Sequence, residues 1–260
     1  MITDEELQTV IKKCLDDFYR RRLATLTGLR LKDALTKNPY LFRALGVKEP
    51  SEIIAQLLQA RVSSSDETHF GDAFFEPVVL AVSGGHVSGA TGVDVEIETN
   101  NQFKAIAVKS GTNAQNASAQ SKQNQEFNEL RSRLHKIGKH FDAVIGYCYG
   151  RTTGAIPKGK IYRRLAGQAF WEELTGDADF YLKLMRFMGG YPAEHRIEYE
   201  AKFNELVDRF NEEFKSEFSA PDGGIDWEKL IAFNSSKERP KNSKFAREVA
   251  EAEYQPSLIE

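Results

Sequence analysis

Apolar residues recur at intervals of three and four in the first segment, at Leu7, Val10, Ile11, Cys14, Leu15 and Phe18, which predicts an amphipathic helix. SEIIAQLLQAR (51–61) predicts a second, short helix capped by Ser51. Ser64 and Glu67 then have the S-x-x-E spacing of a capping box, so another helix is expected to start there and stop at Pro77. Glu76 would sit at its exit, just ahead of the unbroken apolar run Val78-Val79-Leu80-Ala81-Val82, which reads as a strand.

The period changes in GVDVEIETNNQFKAIAVKSG (92–111). Asparagine tolerates the positive φ of a tight two-residue turn, so Asn100-Asn101 predicts a hairpin. Facing residue numbers then sum to 201, as 100 and 101 do. In that register Asp94 faces Ala107, with β-carbons about 5 Å apart. Lys109 shares the face of Ala107. Val93, Val95 and Ile97 would make one side of the hairpin apolar, while Asp94, Glu96, Glu98 and Lys109 make the other polar.

Downstream, GTNAQNAS (111–118) reads as a loop, 119–137 as a helix on Phe127, Leu130 and Leu134, and FDAVIGYCYG (141–150) as a buried strand. Two short helices parted by Thr175-Gly176 are expected over 167–189. A longer helix over 193–218 has Ile197, Phe203, Leu206, Val207, Phe210, Phe214 and Phe218 on one side, as core or as a subunit surface. PDGG (221–224) is a turn, and 235–243 is a polar stretch. The order predicts an α/β fold, a mixed sheet flanked by helices with N- and C-terminal helical additions. It divides into an N-terminal helical region (1–62), a core (63–165) and a C-terminal helical region (166–260).

Charge narrows the partners. The 260 residues carry 35 Lys and Arg against 38 Asp and Glu, a net charge of -3, so any polyanion must be met by a local basic surface. No apolar run approaches the roughly 20 residues that span a bilayer. The acidic, polar start MITDEELQTV does not read as a secretory signal. Cys14 and Cys148 lie far apart without ligand spacing, which favours a reducing intracellular setting and no structural zinc.

The polar side of the hairpin is the candidate for chemistry. A carboxylate at 94 with a second at 107 would offer two oxygens to Mg²⁺, a hard cation that takes few protein ligands. Lys109 beside it could orient or deprotonate an attacking water. The competing reading is a solvated amphipathic strand whose acids and lysine pair with one another. Spacing leaves both open.

Asp94, then Lys109 on the next strand, then a helix: this order resembles the PD-(D/E)xK nuclease superfamily, whose pattern is an acid, then acid-x-Lys, then a helix. VKSGTNAQNASAQSKQNQEF resembles the K-S-G-x-N stretch and following helix of restriction endonucleases in that superfamily. SSSDETHFGDAFFEP resembles their upstream helix, which ends in a metal-assisting glutamate, here Glu76. With NPYLFRALGV (38–47) and FWEELTGDADFYLKLMRFMGG, the chain looks most like PmeII-type restriction endonucleases over roughly residues 38–190.

The resemblance implies a restriction-endonuclease-like core in 63–165 and a type II site-specific deoxyribonuclease of a bacterial or archaeal cytoplasm. Mg²⁺ would be held at Asp94, position 107 and the Val108 carbonyl, Glu76 would hold a second metal or a metal-bound water, and Lys109 would position the nucleophile. The substrate would be a short specific site in double-stranded DNA, bound by a homodimer. Lys122, Arg131, Arg133, Lys136, Lys139, Lys158, Lys160, Arg163 and Arg164 are candidates for phosphate contact, though Arg133 and Lys136 equally suit a solvated helix face. Asn113, Gln115, Asn116, Gln120 and Gln123 are candidates for base edges or for capping the helix.

One position departs from the pattern: Ala107 stands where Glu or Asp is expected. The chain as it stands is therefore expected to be nearly inactive. An inactivating replacement, migration of the acid to Glu96, Glu98 or Glu126, and a natural non-cleaving pseudo-nuclease all account for it. The first fits best, because every other element is present. A non-specific repair or defence nuclease of the same fold is the alternative within the enzyme class.

Overall fold

Both faces of Ala105-Ile106-Ala107-Val108 are buried, because the strand that carries them lies inside a sheet and not at its edge. The computed structural model describes residues 2–112 and 115–237; Asn113 and residues 238–243 lie outside them. The sheet has six strands, β1 (His86–Val87), β2 (Val95–Glu98), β3 (Gln102–Gly111), β4 (His140–Tyr149), β5 (Thr152–Thr153) and β6 (Tyr162–Ala166), in the order β1-β2-β3-β4-β6-β5. The β1, β2 and β3 strands pair antiparallel, β3, β4 and β6 pair parallel, and β5 closes antiparallel on β6. The sheet is mixed, as the element order predicted.

The helices before the sheet are α1 (Asp4–Gly28), α2 (Leu31–Ala34), α3 (Pro39–Ala44), α4 (Pro50–Phe70) and α5 (Glu76–Ser83). Those after the hairpin are α6 (Ala117–His135), α7 (Gln168–Thr175), α8 (Phe180–Met188), α9 (Tyr191–Phe218) and α10 (Trp227–Ser235).

The hairpin adopts the expected register, from Val95↔Ile106 to Glu98↔Phe103. Its turn closes otherwise than expected. No described non-glycine residue has positive φ. Instead, Thr99 N–H donates to the Gln102 carbonyl at 2.8 Å, and Gln102 N–H donates to Thr99 Oγ1 at 3.1 Å. Nor is one side of the hairpin apolar and the other polar. Ala105 and Ala107 pack beneath Phe127, Leu130 and Leu134 of α6. Ile106 and Val108 pack on the opposite layer, with Leu7 and Ile11 of α1, Val78 and Val79 of α5, and Trp171 of α7. A central strand covered on both faces reads as a continuous apolar run, and polar residues survive only at its ends.

Upstream, α4 runs unbroken through Ser64, so Ser64 and Glu67 do not start a helix. The Ser65 hydroxyl bonds back to the Arg61 carbonyl at 3.3 Å, as serine does inside a helix. A π-helical turn, Gly71–Phe75, follows, and VVLAV is helix, not strand. Periodicity cannot separate a short buried helix from a strand. Pro77 supplies the local reason: it has no N–H to give, and its ring would press on the carbonyl four residues back. The wide turn before it relieves that contact, and Pro77 becomes a first-turn residue of α5.

The chain forms two compact units, Met1–Arg21 with Asp66–Arg196, and Arg22–Ser65 with Ile197–Glu260. The three-part division drawn from the sequence follows the chain, whereas each unit gathers distant segments, because α1, α4 and α9 each contribute to both. The sheet and its two helical layers belong to the first. The second has its own core, in which Leu31, Ile54 and Leu58 meet Leu206, Phe210, Phe214 and Phe218 of α9. The aromatic stripe of α9 is thus interior to its own unit, while Ile197, expected on the same side, is 75% exposed. No helix among the described residues is long and apolar enough to cross a membrane.

Candidate active site

The two arms of the hairpin separate at Asp94. Its N–H still donates to the Ile106 carbonyl at 2.9 Å, but its own carbonyl turns to β1 and accepts from Ser88 N–H at 3.2 Å. The next donor along β3, Val108 N–H, is left without a strand partner on that side. Asp94 Oδ2 takes it at 2.7 Å. Lys109 Nζ lies 3.4 Å from the same oxygen and 2.7 Å from the Val108 carbonyl, so two oxygens converge on one positive charge. Both side chains are about a quarter exposed, 27% for Asp94 and 28% for Lys109.

The loop that delivers Asp94 is tied from α6. Buried Gln123 donates to the Gly92 carbonyl at 2.6 Å. Gly92 has φ +73°, and a β-carbon there would stand 2.0 Å from the Glu126 carboxylate, so only glycine fits. Gln123 therefore positions the aspartate loop and does not face a groove.

Glu76 enters from the other layer, at the start of α5, where its N–H closes the π turn on the Gly71 carbonyl. Such turns recur at functional sites. Burial, and then the negative charges of Asp94 and Asp72, push the Glu76 carboxyl up to about 7, while Lys109 and Arg21 pull the other way. Glu76, Asp72 and Glu67 line an open cleft of about 570 Å³ together with Val108, Lys109, Ser110, Gly111 and Tyr149. Asp94 does not line it and reaches it through Lys109.

The chemistry of the donors fits a hard divalent cation held by few protein oxygens. Asp94 Oδ2 and the Val108 carbonyl already share one cation, the Lys109 ammonium, and Glu76 is crowded by like charge. Position 107 adds nothing: its methyl group is fully buried among Val93, Phe127 and Tyr147. Among the described residues no group of three or more His, Cys, Asp or Glu is arranged to hold a metal ion. The acids considered as replacements lie elsewhere. Glu96 is engaged by Ser88 and by His86 at 3.3 Å, Glu98 pairs with Lys139, and Glu126 faces Gly92 with Lys122 3.8 Å away.

Residues 5–196 match the family of the type II restriction endonuclease EcoO109I. The chain belongs to that family. The match runs from α1 into α9 and so contains the whole sheet and the Asp94–Lys109 pair. Among curated proteins, none matches the chain. The likeness to PmeII-type enzymes rests on the quoted stretches alone.

For this member of the EcoO109I family, the structure disperses the residues named for DNA contact. Arg163 lies on β6, beside the Val144 position of β4, and is gripped by Asp142 and Glu173. Lys158 and Lys160 precede that strand, at the end of the sheet away from Lys109. Asn116 caps α6 by accepting from Ala119 N–H at 2.9 Å, and Gln115 is half-buried. Lys122 and Arg131 are exposed on α6, with Arg131 donating to Asn128 at 2.8 Å. Asp72 and Tyr149 were not anticipated. Asp72 precedes Glu76 by one helical turn, and Tyr149 ends a strand beside the K-S-G stretch, signals that pointed there only once the strands were paired.

Proposed function

We propose that this chain is a type II restriction endonuclease that hydrolyses a specific short site in double-stranded DNA with Mg²⁺, as a homodimer, and that Ala107 leaves it nearly inactive. The convergence of Asp94, the Val108 carbonyl and Lys109 at the open end of β3 carries this reading. Asp94, the Val108 carbonyl and Glu76 would hold the ion, which supplies charge stabilisation at the scissile phosphate. Lys109 Nζ holds the attacking water by a hydrogen bond. The water oxygen bonds to phosphorus and gives up a proton to solvent, the bond from phosphorus to O3′ breaks, and O3′ takes a proton back from solvent. The ends are a 5′-phosphate and a 3′-hydroxyl. Lys122 and Arg131 are exposed candidates for phosphate contact.

Ala107→Glu tests it. Plasmid cleavage with Mg²⁺ should rise by at least about 10²-fold, the scale of one electrostatic stabiliser. Discrete bands mark a site-specific enzyme, and a smear marks the non-specific nuclease. No cutting of any DNA overturns the proposal. Light scattering of the parent reports the dimer.

A second reading rests on Ala107 itself, which fills a closed apolar position and leaves no empty seat. In that reading alanine is native and the protein binds DNA without cutting. The variant separates the two by its melting temperature. A carboxylate buried there costs several kcal/mol unless a cation answers it. Mg²⁺ restores the melting temperature of Ala107→Glu if the site is a metal centre, and fails to restore it if the position is structural.

A further inference from the structure

We propose that Tyr149 grips the substrate in the cleft: its ring packs on a deoxyribose beside the scissile phosphate, and its hydroxyl donates to a neighbouring phosphate oxygen. The inference rests on the nuclease reading. Tyr149 ends β4 opposite Gly111, lines the cleft with Glu76 and Lys109, and is 56% exposed.

The ring does not hang free. A β-carbon at Gly111 would stand 2.3 Å from its Cζ and 2.6 Å from its hydroxyl oxygen, so the ring lies across the Gly111 main chain. Gly111 does not have the left-handed φ that reserves a position for glycine. The ring is what excludes a side chain there. One part of an aromatic surface is thus seated on backbone, beside the candidate catalytic lysine, while the rest faces open solvent. Large aromatics with a polar tip suit a partner that is apolar on one side and wet on the other.

The other lining residues narrow that partner. Glu67, Asp72 and Glu76 repel a phosphate backbone, and Lys109 is the cation among the lining residues. A neutral hydroxyl can approach phosphate where a carboxylate cannot. In a duplex the base faces are stacked, which leaves sugars and phosphates to contact, and such contacts position without reading sequence.

The test measures binding of a fluorescein-labelled duplex of random sequence by anisotropy, in Ca²⁺, with the full chain. Tyr149→Ala should weaken binding about tenfold, because it loses the ring's packing on the sugar together with the hydroxyl's hydrogen bond. Tyr149→Phe should weaken it about threefold, keeping the ring and losing one hydrogen bond. Gly111→Ala keeps the tyrosine but displaces its ring, and should match Tyr149→Ala. Unchanged melting curves establish that each variant is folded; should Gly111→Ala not fold, the exposed Tyr149→Ala decides alone. If the parent binds and Tyr149→Ala binds equally well, the proposal is overturned while the nuclease reading stands. If Tyr149→Phe loses as much as Tyr149→Ala, the ring contact is overturned. A parent that binds no duplex removes the nuclease reading, and this proposal with it.

Discussion

The two ends of the central parallel strands are built from the same kinds of charge to opposite effect. At the end where those strands begin, Arg163 forks onto Asp142 at 3.1 and 2.8 Å and onto Glu173 at 2.8 and 2.6 Å, and Lys104 adds a bond to Glu173 at 2.8 Å. Two cations answer two anions. The hydrogen bonds from Arg163 hold the Glu173 carboxyl down to about 2, and the guanidinium is held protonated more firmly than usual. Where the strands end, Asp72, Glu76 and Asp94 gather near Lys109, and burial, with the charges of Asp94 and Asp72 added, pushes Glu76 up to about 7. On β3 Lys104 and Lys109 are only five positions apart. One end is closed by its own charges and holds the sheet together. The other is short of positive charge, which suits the cation proposed for it.

Removing a charge from each end should give different signatures. Arg163→Met leaves two partly buried carboxylates to share Lys104 alone and should cost about 2–3 kcal/mol in denaturant unfolding. DNA binding of the folded variant should be unchanged, against the expectation from the sequence that Arg163 contacts phosphate. A loss of binding with little loss of stability would reverse the assignment of the two ends.

Asp94→Ala should cost less, about 1–2 kcal/mol, because Val108 N–H loses its acceptor. Asp94→Asn keeps an oxygen there and should recover most of that stability while weakening the proposed cation site. Equal destabilisation by both variants would mean that the charge, and not the ladder bond, matters at this point.

Glu76 gives the smallest effect and the sharpest sign. Its folded pKa lies above the ordinary 4.5, so the folded state binds more protons than the unfolded chain between about 4.5 and 7. Its contribution to stability therefore falls as pH rises through that window. Glu173 acts in reverse, contributing fully above about 4.5 and losing that contribution as pH falls toward about 2. Glu76→Gln should flatten the upper limb and stabilise the protein at pH 8 by on the order of 1 kcal/mol, after allowance for solvent screening of a half-buried group. Thermal melts across the pH range read this directly. A variant less stable than the parent at high pH would show that the carboxylate is paired, not crowded.

Much of this sheet was legible because its signals are local. The hairpin register follows from a two-residue turn and a side-chain period of two, and both lie within one short stretch. Thr175-Gly176 parted α7 from α8 as expected, with Gly176 in the left-handed conformation that ends a helix. Other readings failed where a distant partner outweighed the local signal. Ser64 and Glu67 carry a capping pattern, yet buried residues such as Ile54, Leu58 and Val62 keep α4 going through them. PKGKIYRR reads as a basic cluster, but Tyr162 is fully buried on β6 and Arg163 is spent on two acids from other elements.

The sequence by itself determined the register that sets Val95 opposite Ile106 and Glu98 opposite Phe103, with Lys109 farther along the same strand, because strand pairing and alternation are set by neighbours in the chain. Only the tertiary structure decided which charges are answered. Asp142 and Glu173 meet Arg163 across three elements, Gln123 is drawn inward to hold Gly92, and Glu76 arrives from a helix in another layer. Electrostatic energy depends on distance through space and on burial, and neither can be read along the chain.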